Sequence, residues 1–570
     1  MKRILSLSLL LALAMACETP TATSPYEPIP SQTGPIGAEA MVSSAHPLAT
    51  QVGVQVLRNG GNAFDAALAV KFALAVVFPR AGNIGGGGFA LYRTNDGEVG
   101  SLDFREKAPM SADRNMYLDE AGNVVDGKST IGHKAAGVPG SVDGILRLHE
   151  RFGSQPMRSL MQPSIELAYY GFPITANQAE EFNDKRDDFI QINGEDFFLV
   201  QEGPWQEGDT LKFTELAATL SQIKDFGREG FYGGIVADQI VKEMQRGGGL
   251  ITTEDLEKYE AKWRDPVVGM YRGHKVISMP PPSSGGVAIL QLLQGAEQYN
   301  LTKMGHNSAK SLHVLTELER RVYADRATHL GDPDYFDVPV DMLLDPGYNE
   351  KRFADIQKNK KTDSQEIKEG EVEIIESVET THFSIVDPEG NAVSLTTTLN
   401  SFFGCKVYVK GAGFFLNNEM DDFSSKPGEP NQFGLVGGEA NAIQPEKRML
   451  SSMTPTIVEK DGSLKMVLGT PGGSTIITGV FQVIMNVIDH NMGMQDAVNA
   501  TRTHSQWLPD IVIFEERWTP DGTVEELESL GHIIRRRKAL GRMDCILIRE
   551  DGTLEGGADR TRGDNYAEGF

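Results

Sequence analysis

Two adjacent threonines, Thr380 and Thr381, stand where a charged segment meets a predicted strand. The segment 358–379 changes from lysines to glutamates and holds few large apolar residues, which is typical of a solvated loop or linker. Cleavage of the peptide bond before a threonine would free an amine with a pKa of about 8 beside the hydroxyl, so nucleophile and base would belong to one residue. Threonine at a strand start is also common without any such chemistry.

A glycine-rich loop, residues 469–474, follows one predicted strand and precedes an apolar helix that extends to about Ile488. Backbone N–H groups at a helix start stabilise an anion, so the amides of Gly472 and Gly473 are candidates for an oxyanion hole. The alternative is a plain glycine-rich connection.

The loop lacks the GK[ST] ending of a P-loop, and the glycine run at 82–88 follows a helix and opens a strand. Both features argue against nucleotide binding.

Helices and hairpins must position these groups. Apolar residues at helical spacing predict a helix over 47–58, and Asn62 with Asp65 can cap a second, almost wholly apolar helix that reaches Phe78. Alternating apolar residues predict a hairpin of 381–386 with 393–397, joined by an Asp-Pro-Glu-Gly turn. A second hairpin is predicted at 455–458 with 464–468. Residues 150–265 read as short amphipathic helices with polar turns, and another helix is predicted to start near Val287 after a proline-rich break.

The composition excludes several classes of protein. The 570 residues are 40% hydrophobic and 23% charged, as in ordinary globular proteins. The net charge of -25, from 54 basic and 79 acidic residues, disfavours nucleic-acid binding. Three cysteines without a CxxC pair, and histidines without an HExxH pair, predict neither a disulfide scaffold nor a metal site. We expect no metal and no organic cofactor.

The first 17 residues predict export. Two basic residues precede an apolar run of 13 residues, 4–16, which is shorter than the roughly 20 residues of a membrane-spanning helix. The Ala-Met-Ala-Cys ending resembles a bacterial lipoprotein signal, with lipidation at Cys17, although Ala14 replaces the usual leucine. Plain cleavage near this position is the alternative. Residues 18–37 read as a flexible tether, and the chain is expected in the periplasm or anchored to a membrane by its lipid.

Short motifs along the chain form one collinear set: Asp103–Pro109, Pro280–Gly286, Thr380–Ser384, Asp387 with Gly390–Val393, Thr398–Asn400, Leu416–Phe423, Arg448–Met453 and Gly469–Ser474. In this order they resemble the gamma-glutamyltransferases, also called gamma-glutamyltranspeptidases. The resemblance implies an α+β fold of the N-terminal nucleophile hydrolase type, a four-layer αββα sandwich with two antiparallel sheets between helical layers. It also implies self-cleavage between Glu379 and Thr380 into a large subunit, 38–379, and a small subunit, 380–570, which remain together as a heterodimer.

The resemblance assigns a role to each matching residue. Thr380 matches the nucleophile, Thr398 the residue that orients it, and Gly472 and Gly473 the oxyanion hole. The expected substrates are glutathione and other gamma-glutamyl compounds, with water, amino acids or peptides as acceptors. A gamma-glutamyl group carries a carboxylate, which a cation and hydroxyls would bind, and an ammonium, which acceptors would bind. The matching residues are Arg105, Ser451 and Ser452 for the carboxylate, and Asn400, Glu419 and Asp422 for the ammonium.

Two departures and two alternatives accompany this interpretation. Phe433, in the lid loop matched by 426–447, stands where several bacterial relatives have tyrosine, which bears on the balance between hydrolysis and transfer. The pairing state of Cys405 and Cys545 is left open.

The first alternative function is a glutaryl or other acyl amide acylase of the same fold, which loss of the ammonium-binding residues would favour. The second is an uncleaved surface lipoprotein that binds peptides without turnover.

Overall fold

A computed structural model describes residues 24–364 and 380–570 of the chain. Its strands, in chain order, are β1 (Ile36–Gly37), β2 (Met41–Ser44), β3 (Gly87–Arg93), β4 (Val99–Phe104), β5 (Phe172–Pro173), β6 (Thr210–Leu211), β7 (Lys262–Arg264), β8 (Val267–Tyr271), β9 (His274–Ser278), β10 (Thr380–Val386), β11 (Ala392–Thr398), β12 (Tyr408–Val409), β13 (Phe414–Phe415), β14 (Thr456–Lys460), β15 (Ser463–Leu468), β16 (Thr503–His504), β17 (Val512–Glu515), β18 (Ile534–Arg537), β19 (Asp544–Ile548), β20 (Leu554–Ala558) and β21 (Tyr566–Gly569).

The helices in the same part of the chain are α1 (Pro47–Arg58), α2 (Ala63–Val77), α3 (Ser141–Phe152), α4 (Met157–Tyr170), α5 (Ala176–Asp184), α6 (Arg186–Asn193), α7 (Thr214–Phe226), α8 (Glu229–Tyr232), α9 (Gly234–Gly247), α10 (Thr253–Glu257), α11 (Gly285–Glu297), α12 (Leu301–Met304), α13 (Ala309–His329), α14 (Val340–Leu344), α15 (Pro346–Phe353), α16 (Thr475–Ile488), α17 (Met494–Asn499) and α18 (Thr523–Ser529). None of these helices combines the length and the apolar character that a membrane crossing requires.

Two seven-stranded antiparallel sheets form the centre of the molecule. The first has the strand order β1-β20-β19-β15-β14-β9-β8, and the second has the order β21-β2-β10-β11-β3-β4-β7. Apolar side chains from both sheets pack in one buried layer, which includes Met41 and Val386 from the second sheet and Ile457 and Ile546 from the first. The two sheets are therefore stacked face to face.

Helices cover the outer face of each sheet. One buried cluster joins α1–α4 and α7–α9 to apolar residues of β2, β3, β10 and β11, and a second joins α11, α13, α16 and α17 to β8, β14, β15 and β19. The order of layers is thus helix, sheet, sheet, helix. This arrangement confirms the predicted α+β four-layer sandwich.

Local sequence signals explain several elements. The side chains of Asn62 and Asp65 form the predicted capping box of α2, and every residue of α2 is buried. The predicted hairpin is the β10–β11 pair, which runs in register from Thr380 opposite Thr398 to Val386 opposite Ala392. The second predicted hairpin is β14–β15, and the loop 469–474 leads from it into α16. The glycine run at 82–88 opens β3, as expected.

The alternation of side chains along β10 decides which way Thr380 faces. Phe383 and Ile385 pack with the helical layer, whereas Ser384 donates a hydrogen bond to the carbonyl of Asp544 in the other sheet. Successive side chains of a strand point to opposite faces, so Thr380 shares the face of His382 and Ser384. This face turns towards the glycine-rich loop 469–474, because a Cβ atom on Gly469 would lie only 2.2 Å from the His382 ring.

The predicted signal, 1–17, and the predicted cleavage residue Glu379 lie outside the described residues. Part of the segment predicted as a tether, 18–37, lies against the folded chain. The hydroxyl of Ser31 and the backbone amide of Gln32 each donate a 2.6 Å hydrogen bond to the carboxylate of Asp496. Ile36–Gly37 then adds an edge strand to β20. The backbone amide of Ser24 also donates a 2.9 Å hydrogen bond to Asp521, so contacts with the folded chain occur from the first described residue rather than after residue 37.

Candidate functional site

Thr380 is the first residue of β10 and is buried, with 6% of its surface exposed. Its hydroxyl donates a 3.3 Å hydrogen bond to the hydroxyl oxygen of Thr398, which lies directly opposite on β11. The Thr398 oxygen also accepts a 2.7 Å hydrogen bond from the backbone amide of Asn400. Asn400 has a φ of 72°, in the left-handed region that asparagine tolerates well. The turn after β11 thus fixes the Thr398 hydroxyl, which in turn orients the Thr380 hydroxyl.

One narrow pocket brings together all but one of the residues predicted for catalysis, donor binding and the lid. The predicted site residues in its wall are Arg105, Thr380, Thr398, Asn400, Glu419, Asp422, Phe433, Ser451, Ser452 and Gly473. Gly472 is the exception, and it lies next to Gly473 in the chain. The cavity volume is about 20 Å³, which is about the room needed by one water molecule. Any larger ligand therefore requires part of the wall to move.

The glycine-rich loop presents two unused backbone amides beside the pocket. Gly472 and Gly473 have φ values of 140° and 53°, which glycine adopts readily. Within the described residues neither amide donates a hydrogen bond, whereas the carbonyl of Gly472 accepts bonds from the amide and hydroxyl of Thr475. The bonds to the Gly472 carbonyl hold the loop in place, and the N–H groups of Gly472 and Gly473 stay available at the start of α16. Such N–H groups can stabilise an oxyanion.

Arg105, directly after β4, is surrounded by carboxylates. Its guanidinium lies 2.6 Å from Glu419 and 2.5 Å from Asp422, and Glu106 is 3.6 Å away. The same guanidinium also donates to the carbonyls of Met449 and Leu450. Glu419 and Asp422 reach it together because they are the first and last residues of one short 3-10 turn.

Glu419 keeps hydrogen-bonding capacity despite this ion pair. It is fully buried, and neither carboxylate oxygen has a hydrogen-bond donor with good geometry. Burial raises the pKa of Glu419 well above its usual range, and the Arg105 charge opposes this shift. Burial likewise raises the pKa of Glu106 to about 7. A cationic ligand beside these carboxylates would supply both the missing donor and the missing charge.

Ser451 and Ser452 line the same pocket. The hydroxyl oxygen of Ser451 accepts a 3.1 Å bond from the amide of Met453, and that of Ser452 accepts a 3.1 Å bond from Arg326. Neither hydroxyl donates a hydrogen bond within the described part of the chain, so both protons are available to an anionic ligand. The segment is held by the proline-rich motif, because Ser284 donates to the Ser451 carbonyl through both its amide and its hydroxyl, each at 2.7 Å.

The loop 426–447 contributes Phe433 and Leu435 to the wall of the pocket, and several hydrogen bonds hold it in place. Asn431 donates to Asp422 at 3.3 Å, and the amide of Gln432 donates to Asp421 at 3.1 Å. The carbonyl of Phe433 accepts a 3.1 Å bond from the side chain of Gln506. Phe433 is 3% exposed, and its ring lies about 3.5 Å from where a Cβ atom on Gly473 would stand. Phe433 therefore covers the glycine-rich loop.

One group of side chains away from this pocket could hold a metal ion. His313, Glu317 and His532 bring their ligand atoms within 4.8 Å of one another, the only such group among residues 24–364 and 380–570. Glu317 is already ion-paired with Arg321 at 2.8 Å, and the two imidazoles are hydrogen-bonded to each other at 2.8 Å. His313 also contacts the carbonyl of Gln357 at 2.6 Å, so Glu317 and His313 are engaged by protein groups, whereas Nδ1 of His532 is buried without a partner among the described residues. Cys405 and Cys545 are free, buried thiols, and burial raises the pKa of each to about 12.

The sequence analysis did not single out Arg326, which lines the pocket, or Gln506, which donates a hydrogen bond to the lid residue Phe433. Arg326 continues the helical stripe of Leu315, Leu318 and Val322 on α13, where an apolar residue is expected. A charged residue on a buried stripe is the signal that could have revealed it. Gln506 lies in an irregular segment after β16, and no spacing in the sequence connects it with Phe433.

Comparison with known proteins finds a gamma-glutamyltranspeptidase family model, glutathione hydrolase proenzymes and structurally similar acylases. The family model for gamma-glutamyltranspeptidase matches residues 49–569. A protein of Escherichia coli (strain K12) described as a glutathione hydrolase proenzyme is 45% identical over 534 residues, which cover 93% of this chain and 92% of that protein. The crystal structure of Helicobacter pylori gamma-glutamyltranspeptidase is 46% identical with a TM-score of 0.56, over 60% of this chain and 97% of that one. The crystal structure of a cephalosporin acylase from Bacillus halodurans is 27% identical, with a TM-score of 0.83 over 95% and 98% of the two chains.

Proposed function

The chain belongs to the gamma-glutamyltranspeptidase family, and we propose that Thr380 makes it a self-cleaving glutathione hydrolase and gamma-glutamyltransferase. The observation that carries this proposal is the pocket itself, where a threonine hydroxyl held by Thr398 stands among Arg105, Glu419 and Ser452. A nucleophile lies beside groups that complement an amino acid.

Maturation creates the nucleophile in its active form. The Thr380 hydroxyl attacks the carbonyl carbon of Glu379, the peptide C–N bond breaks, and the Glu379 acyl group moves to the oxygen while the nitrogen becomes the amine of Thr380. Water then hydrolyses the ester, which leaves a free carboxylate on Glu379 and a free hydroxyl on Thr380. The large subunit, 38–379, and the small subunit, 380–570, stay together because β10 lies between β2 of the large subunit and β11 of the small subunit.

Turnover uses the same hydroxyl and the freed amine. The amine takes the hydroxyl proton as the oxygen attacks the gamma-carbonyl carbon of the donor, and the negative oxygen of the intermediate is held by the amides of Gly472 and Gly473. The amide C–N bond then breaks, and the leaving amine takes the proton. The gamma-glutamyl ester on Thr380 is resolved by water, which releases glutamate, or by an acceptor amine, which forms a new amide.

Pocket charge favours a gamma-glutamyl donor over the glutaryl donor of an acylase. A glutaryl group lacks the α-ammonium, so it would leave three carboxylates, Glu106, Glu419 and Asp422, around the single positive charge of Arg105. The enzyme should hydrolyse a gamma-glutamyl anilide at least about 100-fold faster than a glutaryl anilide, judged by kcat/KM. Equal rates, or a preference for the glutaryl compound, would support the acylase. Release of glutamate from glutathione, absent in Thr380→Ala, tests the substrate directly.

We also propose export with lipidation at Cys17, on the basis of the basic, apolar and cysteine-containing order of residues 1–17. Mass spectrometry of the mature large subunit tests this proposal. A lipid on Cys17, and loss of membrane association in Cys17→Ser, are the expected results. A large subunit that begins after an unmodified cleavage site would contradict lipidation.

A further inference from the structure

The apolar helix α2 carries a lysine, Lys71, in the interior of the molecule. Lys71 is 1% exposed, and all other residues of α2 are buried as well. Its ammonium donates a hydrogen bond to the carbonyl of Asn83, and within residues 24–364 and 380–570 no carboxylate contacts it directly. A lysine is almost never fully buried without a compensating charge, because desolvation of an ion costs free energy. The charge that compensates Lys71 must therefore act over a longer distance.

Glu106 is the charged group that acts on Lys71. It is fully buried, and neither of its carboxylate oxygens has a hydrogen-bond donor within the described residues. Burial lowers the pKa of Lys71 to about 7, and the negative charge of Glu106 opposes this shift. Burial raises the pKa of Glu106 to about 7, and the positive charges of Arg105 and Lys71 oppose that shift. Lys71 and Glu106 therefore each favour the charged form of the other.

Both groups lie against the backbone that carries Thr398. Asn83, which accepts from Lys71, donates through its own side chain to the carbonyl of Thr398 at 2.9 Å. Gly87 pairs with Thr398 across β3 and β11, and a Cβ atom on Gly87 would lie only 2.5 Å from the carboxylate of Glu106. Glycine at this position leaves room for that carboxylate. Lys71 and Glu106 stand outside the described wall of the Thr380 pocket, so they act on it from behind.

Arg105 connects Glu106 with the pocket. Its Nη1 lies 3.6 Å from Glu106 and 2.6 Å from Glu419, so these two carboxylates share one end of the guanidinium. The other end, Nη2, contacts Asp422. Glu419 and Asp422 belong to the wall of the pocket, whereas Glu106 reaches the guanidinium from outside that wall. A neutral Glu106 would hold Arg105 less firmly, because a charge-assisted contact is stronger than a neutral one.

We propose that Lys71 is a positioning residue of the donor site: its charge keeps Glu106 ionised, and the ionised carboxylate holds the Arg105 guanidinium in the orientation that receives the donor. This inference rests on the proposed function and adds to it a residue that touches no substrate. The titratable groups that face Glu106 are Arg105, Lys71, Glu419, Asp422 and Tyr259. Two of them are cations, and Arg105 is shared with Glu419 and Asp422. The ionised state of Glu106 therefore depends on Lys71.

Hydrolysis of gamma-glutamyl-p-nitroanilide by the self-cleaved protein, without an acceptor, tests the proposal. At about pH 7, Lys71→Met should raise KM by about 3- to 10-fold and leave kcat within about twofold, because Glu106 takes up a proton once the lysine charge is gone. Lys71→Gln can still donate to the carbonyl of Asn83 but carries no charge, and it should raise KM equally. The ratio of variant KM to wild-type KM should fall towards unity at about pH 8.5, where Glu106 ionises without the lysine.

A second substitution, Glu106→Gln, tests the route by which Lys71 acts. Alone it should raise KM by a similar factor at both pH values, since glutamine never carries the charge. Added to Glu106→Gln, Lys71→Met should change KM by less than about twofold, because the charge on which Lys71 acts is already absent. Leu74→Met is a matched control. Leu74 is fully buried on the same helix and carries no charge, so its variant should keep the wild-type KM at both pH values.

An equal increase in KM on Lys71→Met in the wild-type and Glu106→Gln backgrounds would overturn the proposal, because Lys71 would then act through packing. An increase that does not depend on pH would overturn it as well. So would a fall in kcat alone, which would point to Asn83 and Thr398 as the route. If one Lys71 variant does not fold, the other gives the same comparison. Wild-type protein that hydrolyses no gamma-glutamyl anilide would contradict the proposed function, whereas each outcome above leaves that function intact.

Discussion

At the scale of single residues, the hydroxyl of Thr398 links Thr380, the proposed nucleophile, to the turn that follows β11. It accepts from both Thr380 and the amide of Asn400, so the position of the nucleophile depends on a backbone conformation at Asn400. The sequence could predict that a hydroxyl stands here, but only the register of β10 with β11 places it opposite Thr380.

Replacing Thr398 with valine removes this hydroxyl while keeping the shape of the side chain. We expect Thr398→Val to lower kcat for gamma-glutamyl-p-nitroanilide by about 10- to 100-fold with little change in KM, because the hydrogen bond orients the attacking oxygen rather than the bound donor. Thr398→Ser keeps the hydroxyl and should stay within about threefold of wild type. Steady-state kinetics on the self-cleaved fraction measure both. Full activity in the valine variant would mean that Thr398 does not orient Thr380.

At the scale of elements, we expect the predicted lid loop 426–447 to move when a donor enters, because Phe433 and Leu435 form part of the wall of a pocket of only about 20 Å³. Gln506 holds it from the side of the small β16–β17–β18 sheet, where its amide donates to the carbonyl of Phe433 and accepts from Ser474 at 2.5 Å. Ser474 precedes α16 directly, so one side chain connects the lid with the glycine-rich loop.

Gln506→Leu should loosen the lid, since leucine has a similar size but cannot hydrogen-bond to Phe433 or Ser474. We expect faster limited proteolysis within 426–447 and a KM for gamma-glutamyl donors raised by about 3- to 10-fold, while self-cleavage proceeds. Gln294→Leu is a control, because Gln294 bonds the carbonyl of Leu344 on the outer helical layer. Unchanged proteolysis in Gln506→Leu would show that the lid is held elsewhere.

Local signals made some elements predictable and left others open. The capping box of α2 and the alternation in β10 depend on neighbouring residues, so the sequence alone predicted both. The placement of β10 between β2 and β11 joins segments more than 300 residues apart, which no local periodicity encodes. The four-layer order was therefore predicted from the family resemblance. Arg326 was missed for the same reason, because its partners Ser284 and Ser452 are distant in sequence.

At the scale of the whole molecule, stability depends on buried groups that titrate in opposite directions. Burial lowers the pKa from 6.5 to about 4 for His46, His306, His504 and His532, and to about 3 for His382. The folded state keeps these imidazoles neutral, whereas the unfolded chain protonates them below about pH 6.5. Their contribution to stability is therefore lost progressively as the pH falls from 6.5 towards 4. Glu106 and Asp421, whose pKa burial raises to about 7 and about 6, act in the opposite sense.

A single substitution isolates the histidine contribution from these acids. In His504→Gln the free energy of unfolding should fall less than in wild type between about pH 7 and about pH 5, by about 1 to 2 kcal/mol. The reason is that unfolded wild type protonates His504 in this pH range, whereas the folded state keeps the imidazole neutral. Glutamine takes up no proton in either state. Denaturant unfolding of both proteins at the two pH values measures the difference. Parallel pH dependences would contradict the neutral state of His504.

The central claim is that Thr380 becomes the N-terminal nucleophile of this molecule, and intact mass spectrometry of the purified protein tests it most directly. Wild type should give two fragments, one of which begins at Thr380 and ends at Phe570, and Thr380→Ala should give one uncleaved chain. Brief incubation with a gamma-glutamyl donor, followed by an acid quench, should add the mass of one gamma-glutamyl group to the small fragment only. An intact wild-type chain, or a fragment that begins at another residue, would contradict the account.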